Sequence, residues 1–219
     1  VAEGNGQDGG NANVIATAAA VDGFVHVFAN ATGGLAGGGT IGGTGGSASV
    51  FANGESVTGA VYAEARAIGG NGNAGADISL LNAVRGRSAG AVVLRQVAIG
   101  GGGGFAGGGN ASSIDHVTDH GAGAIDLEVV AVGGGGTTGG DAFAEASAED
   151  HLGAATRVSA VAVAGWGFGG DAGSATLGVV SGRSTAGGDV TVEGYVDSGL
   201  SYVSPPSDLD STPEKASVS

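Results

Sequence analysis

Apolar and polar residues alternate with a period of two through most of the chain, and glycine-rich blocks interrupt the alternation at regular intervals. In residues 61–68, small apolar side chains take nearly every odd position, while Tyr62, Glu64 and Arg66 take even positions. A period of two is typical of β-strands. The density of Gly, Val and Thr disfavours helix almost everywhere. The pattern therefore predicts an all-β protein.

The alternating segments form a repeat. The segment at residues 61–70 returns at 92–101, 125–134 and 158–167, and a shorter version follows at 190–196. Successive segments start 31, 33, 33 and 32 residues apart. A period of this size indicates stacked units, each of which needs its neighbours to bury its apolar face.

Each unit contains two candidate strands joined by a short connector. The predicted strand pairs are 13–21 with 24–31, 47–53 with 59–68, 76–84 with 91–99, 111–118 with 124–132, 141–148 with 157–164, and 173–181 with 189–196. Glycine-rich blocks separate one pair from the next, at residues 33–46, 69–75, 100–109, 133–140 and 165–170. The sequence thus predicts about six strand pairs with long Gly-rich loops between them.

Two architectures fit six strand pairs. In a parallel β-solenoid each unit makes one coil, whereas in a two-sheet sandwich each pair is an antiparallel hairpin. Asp22-Gly23 is a typical two-residue hairpin turn, but the longer connectors elsewhere suit a solenoid, which we prefer. The Gly blocks are either flexible surface loops or closely packed extended segments that add a third layer.

The domain organisation follows from where the repeat starts and stops. Residues 1–12 are expected to be an N-terminal lead segment, and residues 13–198 a single β-repeat body. Residues 199–219 carry all three prolines and are acidic, so we expect a tail or an arm that docks on a neighbouring subunit. Tyr202 is a candidate contact within that arm.

Composition predicts a hydrophobic core made of small side chains. Hydrophobic residues make up 42% of the chain, but aromatic residues only 5%, and there are 50 glycines. Glycine loses the most conformational freedom on folding. Repetitive backbone hydrogen bonding must offset this cost, because bulky side chains are scarce.

The net charge and the lack of sulfur-containing residues exclude several classes of function. With 21 acidic and 7 basic residues, the formal net charge is −14, which repels phosphate backbones and excludes nucleic acid as an expected partner. There is no cysteine or methionine, so disulfides, thiol catalysis and cysteine-based zinc sites are ruled out. The composition favours an extracellular or cell-surface protein that has lost a signal peptide, or a fragment. No apolar run is long enough to predict a membrane span.

Candidate chemistry is sparse. Gly-Gly-Asp turns end at Asp141, Asp171 and Asp189, and resemble the turns of calcium-binding β-roll repeats. Their spacing of 30 and 18 residues differs from the nine of that family, so calcium is possible at single turns and no cofactor is required. No Gly-x-Ser-x-Gly elbow or catalytic triad spacing is present, and we expect no enzyme.

Other candidate sites concern modification and contact. Asn30 and Asn110 begin N-glycosylation sequons. The first strand, the aromatic residues of the Gly blocks and the last strands are expected to make assembly or adhesive contacts, with candidates Val14, Ile15, Phe105, Trp166, Phe168, Tyr195 and Tyr202.

Ala/Val alternation separated by Gly-Gly-Asn or Gly-Gly-Asp blocks, over residues 10–197, resembles the β-strand repeats of bacterial and archaeal surface proteins. The resemblance implies adhesins, matrix fibres or filament subunits. Our first hypothesis is a secreted structural subunit that polymerises with itself through the edges of its terminal strands. The alternative is a surface or phage-type adhesin whose Gly-rich loops bind glycans or cells.

Overall fold

The strands lie where the alternation predicts them. The computed structural model describes residues 6–37, 42–118, 123–202 and 217–218, and contains no helix within them. The strands are β1 (Ala12–Ala20), β2 (Val25–Thr32), β3 (Ala48–Ser56), β4 (Val61–Ile68), β5 (Ile78–Leu81), β6 (Val84–Arg87), β7 (Ala91–Ile99), β8 (Ala111–Thr118), β9 (Ala124–Val132), β10 (Ala142–Asp150), β11 (Ala155–Val163), β12 (Gly167–Phe168), β13 (Ala175–Ser184), β14 (Val190–Asp197), β15 (Ser201–Tyr202) and β16 (Ser217–Val218).

The two strands of each pair belong to opposite stacks. The second strands form one six-stranded sheet in the order β2-β4-β7-β9-β11-β14, and the first strands form sheets β1-β3-β6 and β5-β8-β10-β13-β16. Every strand pairing of the described residues is parallel. The predicted parallel β-solenoid, of about five turns, is confirmed. The antiparallel sandwich is wrong, and Asp22-Gly23 lies in the arc between two stacks, with Gly23 at φ 93°.

The register is constant from coil to coil in the second stack. One inward row consists of Val27, Ala63, Leu94, Leu127, Val158 and Val192. The facing rows of both stacks bury mainly Ala and Val, with a few Leu and Ile, and no aromatic side chain belongs to this core of the described residues. The core of small side chains expected from composition is therefore present.

The Gly blocks form a third, ordered edge of the coil. Isolated parallel bridges join successive blocks at Thr44 and Ala74, Gly72 and Gly103, Gly107 and Thr138, and Gly136 and Gly167. Each block has two legs, one that follows a second strand and one that leads into the next first strand. Backbone hydrogen bonds join the two legs of a block to one another. The Gly-rich connections are long, as predicted, but flexible loops do not describe those residues that the structure covers.

A continuous series of backbone hydrogen bonds runs along this Gly edge. Each N–H donates to the carbonyl of the preceding member, at 2.7–3.2 Å, through Gly10, Gly34, Gly46, Gly70, Ala76, Gly101, Gly109, Gly134, Gly140, Gly165 and Gly173. A Cβ on Gly101 would collide with the carbonyl oxygen of Gly70, one coil earlier on the same leg, and with the amide nitrogen of Ala76 on the facing leg. The absence of side chains is thus what lets the two legs approach to backbone hydrogen-bonding distance.

The first stack is interrupted at the third coil. The sequence predicts a single strand over residues 76–84, but Asn82 has a left-handed φ of 49° and separates β5 from β6. As a result β5 pairs with β8 on one side and β6 pairs with β3 on the other. Non-glycine residues rarely adopt this conformation, and Asn is among those that tolerate it.

Buried polar side chains satisfy the backbone at this interruption. Gln96 is fully buried, and its Oε1 accepts the Ala83 N–H at 2.6 Å. Its Nε2 donates to Ser113 Oγ at 3.1 Å and to the Ile114 carbonyl at 3.0 Å. The side chain of Gln96 thus replaces part of the missing ladder.

A carboxylate orders one of the arcs that join first and second strands. Asp150 accepts the backbone N–H groups of Leu152, Gly153 and Ala154 at 2.7–3.1 Å. Burial raises the pKa of Asp150, but these three donors lower it further, so the pKa lies below its usual value. The ionised form therefore holds the arc.

The predicted flanking segments contribute to the coil. In the expected lead segment, the Gly9 N–H donates to Thr44 at 2.9 Å, so residues 6–10 form the first leg of the Gly edge. In the expected tail, β15 pairs with β12 and β16 pairs with β13, while residues 203–216 lie outside the described part. Among the described residues, no helix is both long and apolar enough to cross a membrane.

Candidate assembly surfaces

The C-terminal end of the solenoid exposes part of the core. Val190 and Val192 of β14 are 41% and 44% exposed, whereas Thr156 and Val158, their partners in β11, are 2% and 0% exposed. The difference arises because β14 is the last strand of its stack and no described residue pairs with its outer edge. This end therefore presents both apolar side chains and unpaired backbone groups.

The N-terminal end has open edges as well. β1 pairs only with β3, and β2 only with β4, among the strands of the described part. Val14 points inward and is half-buried, whereas Ile15 lies on the outer face opposite Phe51 and is exposed. The predicted contact residues Val14 and Ile15 thus lie on a terminal strand, on its two faces.

An aromatic cluster lies at the same end, on the outer face of the second stack. Ring centroids of Phe24 and His26 are 5.8 Å apart, and those of His26 and Phe28 4.4 Å apart. Tyr62 on the neighbouring strand lies 4.8 Å from His26 and 5.6 Å from Phe28. Burial, followed by the hydrogen bond to Glu64, raises the pKa of Tyr62. Sequence reasoning missed this cluster, although the spacing of Phe24, His26 and Phe28 places all three on one face of a strand.

A second aromatic group lies on the Gly edge. Trp166 and Phe168 form an edge-to-face pair with centroids 3.9 Å apart, and both are exposed. Phe105 is 94% exposed on an earlier coil. The structure therefore leaves all three predicted aromatic contact residues available to a partner.

The remaining predicted contact residues lie at the C-terminal end. Tyr195 is on the outer face of β14 and is 56% exposed. Tyr202 is in β15, where its backbone is paired with Phe168 of β12. The two tyrosines therefore belong to the last coil but to different edges of it.

Asp141 and Asn110, predicted as calcium and glycosylation sites, share a structural role. Each precedes a first strand, and its side-chain oxygen accepts the N–H of the corresponding residue one coil further on. Asp77 accepts from Asn110 at 2.7 Å, Asn110 from Asp141 at 2.8 Å, and Asp141 from Ser174 at 2.7 Å. Such side-chain acceptors continue the parallel ladder where the backbone turns away.

The three predicted calcium ligands do not converge. Asp141 and Asp171 lie on the Gly edge, whereas Asp189 lies at the opposite edge, in the arc before β14. No group of three or more His, Asp or Glu side chains suited to a metal occurs among the described residues. Calcium at a single turn stays a prediction.

The two sequon asparagines are on the surface. Asn30 is on the outer face of β2 and Asn110 is at the start of β8, and both are exposed. Exposure is what modification of the amide would require. Glycosylation at either site stays a prediction.

Charged side chains form ladders on the outer face of the second stack. Arg95 lies between Glu64 at 3.6 Å and Glu128 at 2.9 Å. Arg157 lies between Asp126 at 3.3 Å and Glu193 at 2.7 Å, and the hydrogen bond that Arg157 donates to Glu193 raises the pKa of Arg157. The pairs with Asp126, Glu128 and Glu193 are exposed and contribute little stability each, whereas Glu64 is buried. All of them place opposite charges in register from coil to coil.

Comparisons with known proteins give no family assignment. No family model, curated protein or solved structure matches the chain at a significant level. The function is therefore argued from the surfaces themselves.

Proposed function

We propose that this protein is a secreted structural subunit that assembles end to end with copies of itself into an extracellular filament or matrix fibre. The observation that supports the proposal most directly is the exposed core at β14. Val190 and Val192 occupy inward positions of the repeat, yet they remain about half exposed, because no strand of the described residues follows β14 in its stack. A following coil from another copy would bury them.

A second copy fits this position without a change of pattern. If its β2 follows β14 in the repeating register, its Val27 lies beside Val192 and its Asn30 beside Tyr195. The β1 strand of that copy would follow β13 in the first stack. Such a contact joins different surfaces of the two copies, so the same junction can recur without limit and produces a fibre.

Apolar burial and backbone pairing both favour this junction. Completing the burial of a half-exposed valine contributes about 1 kcal/mol, and each net ladder hydrogen bond about 1 kcal/mol. Pairing and burial along the eight residues of β14 can therefore offset part of the free-energy cost of association. The net charge of −14 opposes it, so assembly should be favoured by salt.

Composition supports the extracellular location. A chain with no cysteine and no methionine presents neither thiols nor thioethers to oxidants. Its acidity keeps separate copies soluble before they assemble. No catalytic activity is proposed, and the only partner that the proposal requires is a second copy.

Substitution of the exposed core residue tests the proposal. Val192→Lys should abolish fibres in negative-stain microscopy and sedimentation, because the junction would have to bury a charge. The unfolding midpoint should change little, since this lysine can reach solvent in the single subunit. Leu152→Lys introduces the same charge at an exposed arc position and should leave fibres intact. A wild-type chain that stays strictly monomeric at high salt would contradict the proposal.

The aromatic group of the Gly edge favours a second candidate function, adhesion to glycans. Trp166 and Phe168 are exposed and offer ring surfaces and an indole N–H, a combination that suits sugar rings. Trp166→Ala should then abolish binding to a polysaccharide panel without affecting assembly. Phe24→Ala, which removes an exposed aromatic residue at the other end of the molecule, is the matched control. Equal binding by both variants would contradict an adhesive role for this group.

A further inference from the structure

The edge of β13 that faces the end of the solenoid is partly occupied by the chain itself. β16 pairs with β13 in parallel, with Ser217 opposite Thr176 and Val218 opposite Leu177. This is the direction in which β10 pairs with β13 on its other edge. The outer edge of β13 beyond Leu177 carries no partner among the described residues.

The sequence around β16 matches the start of a first strand. Ala216-Ser217-Val218 repeats Ala48-Ser49-Val50 of β3 letter for letter. In β1 the corresponding residues are Ala12-Asn13-Val14, because β1 pairs with β3 in that register. The strand β16 therefore stands where a first strand of a following coil would begin.

A second copy needs the same edge. In the junction proposed above, β1 of the incoming copy follows β13, so its Asn13 would lie opposite Thr176 and its Val14 opposite Leu177. Those are the two positions that β16 holds. Both segments cannot pair with one edge at the same time.

We infer that β16, residues 217–218, competes with β1 of a second copy for the edge of β13, and so restrains assembly. The inference rests on the proposed function. The restraint has an advantage in local concentration, since β16 belongs to the same chain as β13. It is nonetheless short, with two paired residues against the nine of β1, so a complete incoming strand can displace it. The consequence is that each added copy must first displace β16, which raises the critical concentration for assembly.

A reversible disulfide tests the competition. The chain has no cysteine, so Thr176→Cys with Ser217→Cys creates one pair at directly opposed positions, where the Cα separation of neighbouring strands suits a disulfide. Oxidation of the purified full chain should form the intramolecular bond and suppress fibres. Reduction should restore them to the level of Thr176→Cys alone. Failure of the disulfide to form would overturn the inference, because it would show that β16 is not at this edge.

A second pair of variants tests the opposite direction. Ser217→Pro with Val218→Pro removes both backbone donors of β16 and should lower the critical concentration for assembly about tenfold, the size expected for losing one or two net ladder hydrogen bonds. Ser211→Pro with Thr212→Pro adds the same two prolines beside Pro213 and should leave it unchanged. If wild type assembles and the oxidised and proline variants assemble equally well, the competition is wrong and the proposed function stands. If wild type does not assemble, the proposed function itself fails.

Discussion

Asp115 is the residue whose environment departs furthest from that of the unfolded chain. Its side chain is 1% exposed, and its Oδ2 has no hydrogen-bond partner among the described residues. It lines a cavity of about 210 Å³ next to the interruption of the first stack. Burial raises the pKa of Asp115 to about 7, against smaller opposing effects of the His116 amide and of Arg85.

The raised pKa predicts a loss of stability as the pH increases. Between the unfolded pKa, about 4, and the folded value of about 7, the folded state binds more protons, so the free energy of unfolding falls with rising pH. Asp115→Asn should remove this dependence and stabilise the protein at pH 8, by about 2 kcal/mol in urea unfolding. Asp171→Asn removes the same charge from an exposed site. An equal gain in both variants would attribute the effect to net charge alone.

At the scale of the element, the Gly edge is the feature that most restricts which residues the chain can carry. Its two legs are held by a single series of backbone hydrogen bonds that crosses from one leg to the other at each coil. Apart from Gly10, the glycines on this series have no room for a side chain, since a Cβ would meet backbone atoms of the Gly edge, in most cases a carbonyl oxygen one coil earlier on the same leg. Backbone atoms cannot yield as a flexible side chain can, so this edge tolerates substitution less than the alanine core does.

Substitution along the edge should therefore depend sharply on position. Gly101→Ala should cost about 3 kcal/mol in the free energy of unfolding, because the new methyl group would clash with the Gly70 carbonyl one coil earlier and with the Ala76 amide nitrogen on the facing leg. Gly10→Ala, where no atom lies within 4 Å of the added Cβ, should change it by less than about 0.5 kcal/mol. Urea unfolding measures both. Similar costs at the two positions would mean that the legs are not closely packed.

At the scale of the whole molecule, the constant register predicts which residues meet when two copies stack. Continuing the second stack from β14 of one copy to β2 of the next places Thr191 opposite His26, both on the outer face and both exposed. The same stacking brings the aromatic cluster of one copy close to Tyr195 of the other. Aromatic residues on this outer face would thus be concentrated at the junction.

Cysteine pairs can measure this register. Oxidation of Thr191→Cys with His26→Cys should give a series of covalent multimers on a non-reducing gel, because each junction contributes one disulfide. Thr191→Cys with Thr32→Cys separates the positions by about 20 Å along the strand and should give no species beyond a dimer. Multimers from the second pair would mean that the copies join in another register.

Local patterns in the sequence predicted much of the fold. The period of two located all six strand pairs, and the repeat of about 32 residues indicated coils, because both are properties of extended backbone that neighbouring residues decide. The single strand predicted over residues 76–84 was wrong, since Asn82 breaks it and Gln96, from another strand, makes the break tolerable. A local pattern cannot predict this hydrogen bond, because Gln96 lies 13 residues from its partner Ala83.

The candidate surfaces divide in the same way. Sequence alone predicted that Val14, Tyr195 and Trp166 make contacts, because an apolar or aromatic residue in a terminal strand or a Gly block has no obvious place in the core, and their contact role stays a prediction. Only the tertiary structure decided that Val190 and Val192 are half exposed, that the Asp and Asn side chains before first strands bond along the ladder, and that β16 holds the edge of β13. Exposure and edge pairing depend on which coil comes next in space. Strand formation depends on the residues that come next in the chain.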